Sequence, residues 1–149
     1  MNHILLSCLA CFISACASTS PHVTVSPPFL PTVERHLAAV EGRDIDVFID
    51  TITRTDALRV IFPNGAAVNS TSEVIAFHRE WFADPHWRWH GEIVDAQLGT
   101  DLSLALVKYS YRDTPDAEPR SSWLALVFAL EEGQWRLVHD QNTSLPAPE

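Results

Sequence analysis

The residues best suited to chemistry lie near the end of the chain, in the run Gln134 to Thr143. Side chains of a strand change face at every residue, so regular alternation would put Trp135, Leu137, His139 and Gln141 on one side and Arg136, Val138, Asp140 and Asn142 on the other. The first set starts apolar and turns polar, as the wall of a ligand pocket does. The same pattern also fits a core strand that frays into a polar end. An imidazole with an ordinary pKa of about 6.5 could act as acid, base or hydrogen-bond anchor, which makes His139 the leading catalytic candidate. A structural histidine is the alternative. Asp140 cannot orient His139 from the same strand, because neighbours face opposite ways. The partner has to come from elsewhere, and Tyr109 is the candidate.

Other chemistries find less support. His86 and His90 are four residues apart, but in a strand that separation is about 13 Å, too far for one metal ion. No residues are assigned to a metal, and no cofactor is expected. There is no Gly-x-Ser-x-Gly elbow, and all three cysteines (Cys8, Cys11 and Cys16) lie in the first sixteen residues, which excludes a disulfide framework for the folded part. Nineteen acidic residues against ten basic ones give a formal net charge of −9, so a nucleic-acid backbone would be repelled. With 46% hydrophobic residues in 149, the composition is that of one globular domain.

The elements that must position the candidates can be read in order. Thr32 is placed to cap a helix carrying Val33, Leu37 and Val40, stopped by Gly42. Asp44 caps a second, with Ile45, Phe48, Ile49 and Ile52 on one stripe. Ala57 to Phe62 and Ala66 to Asn69 read as short strands around the turn Pro63-Asn64-Gly65. Ser70 and Glu73 have capping-box spacing and start a helix with Val74, Phe77, Trp81 and Phe82 largely on one side. Four long strands follow: Trp87 to Leu98, Leu102 to Arg112, Ser122 to Leu130 and Gln134 to Thr143. The last two form a hairpin about Glu131-Glu132-Gly133, whose glycine supplies a positive φ. Helices gathered early and meandering strands late make an α+β fold with the helices on one face of a bent sheet. Trp81, Trp89, Tyr109, Trp123, Trp135 and His139 would then wall an interior, with Gln141 and His36 as further polar candidates. Any one of these aromatics could equally be plain core.

Ahead of the domain, Ile4 to Ile13 is an uncharged apolar run, too short to span a bilayer but the length of an export-signal core. The Ile13-Ser14-Ala15-Cys16 that follows resembles the lipobox of bacterial lipoproteins. The resemblance implies a signal peptide over 1–15, lipid on Cys16, and a location in the bacterial cell envelope, membrane-anchored and facing the periplasm. A plain secretory signal would instead give a secreted protein. Residues 16–31 read as a Ser/Pro-rich tether, 32–146 as the domain and 147–149 as a tail.

The element order, with HLAAVEGRDIDVFIDTI, FPNGAAV, SEVIAFHREWF and GQWRLVHDQNTSLP, resembles the SnoaL-like branch of the nuclear transport factor 2-like superfamily, over Val33 to Pro146. The resemblance implies a cone-shaped, cystatin-like fold in which a curved antiparallel sheet wraps around N-terminal helices and a cavity. It also implies a homodimer through the open sheet face. Ketosteroid isomerases of that superfamily carry their base just before the proline of a turn like Phe62-Pro63-Asn64-Gly65. Here that position is Phe62, and their oxyanion-hole tyrosine is matched by His36, so that mechanism is disfavoured. Three readings remain: an exported module binding a small, largely apolar molecule; an isomerase or dehydratase using His139; and a non-catalytic assembly module.

Overall fold

The computed structural model describes residues 28–146. Three helices come first or are interleaved with two short strands: α1 (Phe29–Gly42), α2 (Ile45–Thr51), β1 (Arg59–Ile61), β2 (Ala67–Val68) and α3 (Thr71–Ala83). Four long strands complete the chain: β3 (Arg88–Gln97), β4 (Leu102–Arg112), β5 (Arg120–Glu131) and β6 (Gln134–Ser144). The sheet order is β2-β1-β6-β5-β4-β3. All neighbours run antiparallel except β1 and β6, which are parallel. The α+β reading is thus borne out, with one parallel pairing in a sheet expected to be antiparallel.

Local chemistry explains most element ends. Asp44 accepts from the Val47 N–H at 3.0 Å and Ser70 from the Glu73 N–H at 3.2 Å, each satisfying a donor that a helix start leaves unpaired. The first helix departs from expectation at both ends. It begins at Phe29, so Thr32 lies inside its first turn, and Pro31 is tolerated there because N–H groups of that turn have no helical partner. At its other end Arg43, not Gly42, takes the left-handed conformation, with φ 57°. Arg43 is held there by its side chain, which lies over the Trp87 ring at 3.9 Å and donates to the carbonyls of Asp84, Pro85 and Trp87. In the β5–β6 hairpin Glu132 and Gly133 both have positive φ, 49° and 76°, as a two-residue turn of this twist requires.

The core lies between the helices and the concave face of the sheet. Phe29, Val33, Leu37 and Val40 of α1 and Phe48 of α2 meet Val107, Leu124, Leu126, Phe128, Trp135 and Leu137 from the strands. The opposite face of β4 and β5 carries Leu104, Leu106, Trp123, Ala125 and Val127, all half-buried. On α3 the buried stripe is Val74, His78 and Phe82, whereas Phe77 is exposed and Trp81 half-buried. The stripe therefore sits one position away from the side on which Phe77 was expected.

The strand register has a consequence for everything that follows. Between β5 and β6, Phe128 is opposite Leu137 but Val127 is opposite His139, so Val138 is an extra residue, a β-bulge. The bulge falls where β6 changes neighbours: Leu137 bridges Ile52 and accepts from the Thr53 N–H, while His139, Asp140 and Gln141 pair with β1.

Candidate functional site

One residue of slip reverses every later side chain of a strand. Before the bulge Trp135 and Leu137 face the core, and after it the inward residues are Asp140, opposite Leu126; Asn142, opposite Leu124; and Ser144, opposite Ser122. His139 shares the outer side with Val127, and Gln141 is exposed. The expectation that Trp135 and His139 share an inward face is therefore corrected, and the bulge is the reason.

Inside the sheet is a cavity of about 870 Å³, within the range of small-molecule sites. Its roof is His36, Leu37 and Val40 from α1, Phe48 from α2 and Phe77, His78 and Trp81 from α3. Its wall is Trp89, Tyr109, Tyr111, Ser122, Leu124, Asp140 and Asn142, all from the sheet. Phe62, Pro63, Arg120 and Pro146 form part of its rim. Trp89 stacks on Tyr109 with ring centres 5.6 Å apart. Gly91 makes room for that ring, since a Cβ there would come within 2.4 Å of the Trp89 indole. Of the expected pocket residues, His36, Trp81, Trp89 and Tyr109 line the cavity, whereas Trp123, Trp135, His139 and Gln141 do not. Trp135 is buried core, edge-on to Phe29 at 5.5 Å.

The electrostatics concentrate at two places. Asp140 accepts from Asn142 Nδ2 at 2.9 Å, and the same amide nitrogen donates to the Ile61 carbonyl at 2.9 Å. Burial pushes the Asp140 carboxyl up to about 7, against the opposing pull of the Asn142 hydrogen bond. Tyr109 is also raised, first by burial, with a Ser122 hydrogen bond working the other way and the Asp140 charge adding to the rise. At the roof, His36 Nδ1 meets the Thr51 hydroxyl at 2.8 Å and His78 Nδ1 meets the Val74 carbonyl at 2.8 Å. Burial lowers His36 to about 3, helped by the neighbouring His78, and lowers His78 to about 4. A carboxyl near 7 beside a hydrogen-bonding amide is equipped to exchange a proton at neutral pH. Among the described residues no group of three or more His, Cys, Asp or Glu is arranged to hold a metal ion.

Asp140, Asn142 and His78 were missed from the sequence. Asp140 and Asn142 stood on the face assigned outward, and His78 lay one position off the assumed stripe of α3.

The model of the SnoaL-like domain family matches residues 31–148. The chain belongs to the SnoaL-like domain family. This SnoaL-like chain also resembles many solved structures. One is a Thiobacillus denitrificans protein whose name proposes a calcium/calmodulin-dependent protein kinase type II association domain: 24% identity, 82% of this chain and 98% of the other, TM-score 0.70. Another is a nuclear transport factor 2-like protein of unknown function from Shewanella oneidensis: 14% identity, 76% and 94% coverage, TM-score 0.64. A third is a ketosteroid isomerase-like protein from Erwinia carotovora atroseptica: 15% identity, 79% and 94% coverage, TM-score 0.66. At these identities the likeness is one of fold. No curated protein matches the SnoaL-like chain.

Proposed function

We propose that this SnoaL-like domain binds a small, largely apolar molecule in the cavity beneath its helices, oriented by Asp140 and Asn142. The observation that carries this reading is the cavity itself: about 870 Å³, walled by aromatic rings, with a hydrogen-bonded carboxyl and amide in its lining. Aromatic walls suit a planar molecule, and a few fixed polar groups set its orientation. Neutral bicyclic and steroid-sized probes, screened by thermal unfolding, should include one that stabilises the fold by about 2.7 kcal/mol at a hundred times its Kd. Trp89→Ala should weaken that binding at least ten-fold, and His139→Ala should leave it unchanged. A panel without a stabiliser, or binding lost in His139→Ala alone, would refute the reading.

A second reading is proton transfer, in an isomerase or dehydratase, with Asp140 in the role first assigned to His139. It is favoured by the cavity-facing carboxyl being held near 7, and it is tested by α-proton exchange of a bound ketone in Asp140→Asn. The ketosteroid isomerase pattern itself is not matched, since Phe62 cannot carry a proton and Tyr109, Asp140 and Asn142 stand on the sheet instead.

We also read Cys16 as lipid-bearing, which would hold the domain in the bacterial envelope, facing the periplasm. This part of the chain lies outside the described residues, and the support is the apolar run Ile4 to Ile13 and the Ile13-Ser14-Ala15-Cys16 that follows. Mass spectrometry of the mature N-terminal peptide should find an acylated Cys16. An unmodified peptide beginning elsewhere would contradict it.

A further inference from the structure

We propose that the occupant of the cavity is an uncharged, planar molecule bearing a neutral hydrogen-bond donor, a hydroxyl or an N–H, and that the imidazoles of His36 and His78 offer it acceptors. The inference deepens the binding reading above and rests on it.

The polarity of the roof follows from its hydrogen bonds. The Thr51 hydroxyl donates to the Phe48 carbonyl at 2.7 Å, so the hydroxyl meets His36 Nδ1 with a lone pair. That nitrogen must carry the hydrogen, which leaves His36 Nε2 as an acceptor. The Val74 carbonyl can only accept, so His78 Nδ1 carries its hydrogen too, and its Nε2 is likewise an acceptor. Neither Nε2 has a protein partner among the described residues, and no polar side-chain atom there is both sealed from solvent and unpaired. Both rings line the cavity, so both free lone pairs open onto it. Both rings also pack on Phe48, at 5.2 and 4.0 Å between centres.

Two acceptors opening onto one cavity call for a donor in its occupant. An ether or ketone edge leaves them unpaired, which disfavours such a ligand. A carboxylate brings only further lone pairs. An ammonium would donate, but burial here already disfavours a positive charge on the imidazoles themselves and would disfavour it on a ligand. A neutral donor, a hydroxyl or an N–H, is what remains. This is also why His36 does not substitute for an oxyanion-stabilising tyrosine: its only hydrogen is committed to Thr51.

The test is calorimetry on the intact chain at pH 7.5 with 2-naphthol, 2-methoxynaphthalene and 2-naphthoate. The expected result is a Kd for 2-naphthol at least ten-fold below that of its methyl ether, with 2-naphthoate the weakest. His78→Phe, which retains an aromatic ring against Phe48, should bring naphthol and ether within about two-fold of each other by weakening naphthol alone. Should that variant not fold, His36→Phe serves the same purpose, and the comparison on the unaltered protein needs no variant. Equal binding of naphthol and ether, or preference for naphthoate, would overturn the donor assignment while leaving cavity binding in place. A ten-fold preference surviving in a folded histidine variant would overturn the role of that imidazole. Absence of binding by all three would overturn this inference, and the binding reading stands or falls separately on its broader probe panel.

Discussion

Replacing Asp140 with Asn raises the unfolding free energy above pH 7 and leaves it nearly unchanged below pH 4. The folded protein keeps the Asp140 proton up to about pH 7, whereas an unfolded chain releases it near 3.8. Between those values the folded state holds the extra proton, so stability falls as pH rises, by about 1.4 kcal/mol per pH unit. The whole window amounts to something on the order of 4 kcal/mol, an upper bound because the cavity admits water. Asparagine resembles the neutral carboxyl, retains an oxygen for the Asn142 amide, and escapes the loss. His36 and His78 act in the opposite sense. Their folded values of about 3 and 4 lie below the ordinary 6.5, so protons favour the unfolded chain and stability falls as pH drops through that range. Between about pH 4 and 6.5 two histidines oppose one carboxyl. The wild type should therefore gain roughly 1.4 kcal/mol per pH unit from these groups, and Asp140→Asn about twice that. Urea unfolding at several pH values measures both slopes, and parallel slopes would contradict the assignment. The same variant tests the proton-transfer reading: exchange of the α-protons of 2-tetralone, followed by NMR, should fall by at least about a hundred-fold. Exchange that persists would exclude Asp140 as the base.

Trp135→Ala should cost about 3–5 kcal/mol of stability, the range for removing a large aromatic side chain from a packed core. Trp135 is only 3% exposed, meets Phe29 edge-on and shares the core with Phe128 and Leu137. It does not line the cavity, so a shifted urea midpoint with an unchanged m-value is expected, and ligand affinity per folded molecule should hold. A change below about 1 kcal/mol with selective loss of binding would return Trp135 to the pocket wall. The different fates of Trp135 and Trp89, both read as wall residues, follow from where the helices meet the sheet. That junction depends on contacts distant in sequence.

What could be read from the sequence was what local chemistry decides. The caps at Asp44 and Ser70, the hairpin at Glu132-Gly133 and the long strands all stand within a residue or two of their expected places. The cavity lining was half legible: His36, Trp81, Trp89 and Tyr109 are part of it. The rest was hidden by one inserted residue. Periodicity assumes an unbroken strand, and Val138 breaks β6 because that strand changes its neighbour from the Ile52–Thr53 segment to β1. Nothing local marks the spot, since valine is an ordinary strand residue. The alternation that assigned His139 inward and Asp140 outward was right in period and wrong in phase beyond Leu137.

The most direct measurement is the titration of the Asp140 carboxyl carbon by NMR, on the folded chain between pH 3 and 9. If the Val138 bulge turns that side chain into the cavity, its midpoint lies near 7 and shifts when a ligand binds. A midpoint near 4, indifferent to ligand, would mean that Asp140 faces water and that the bulge does not build the site.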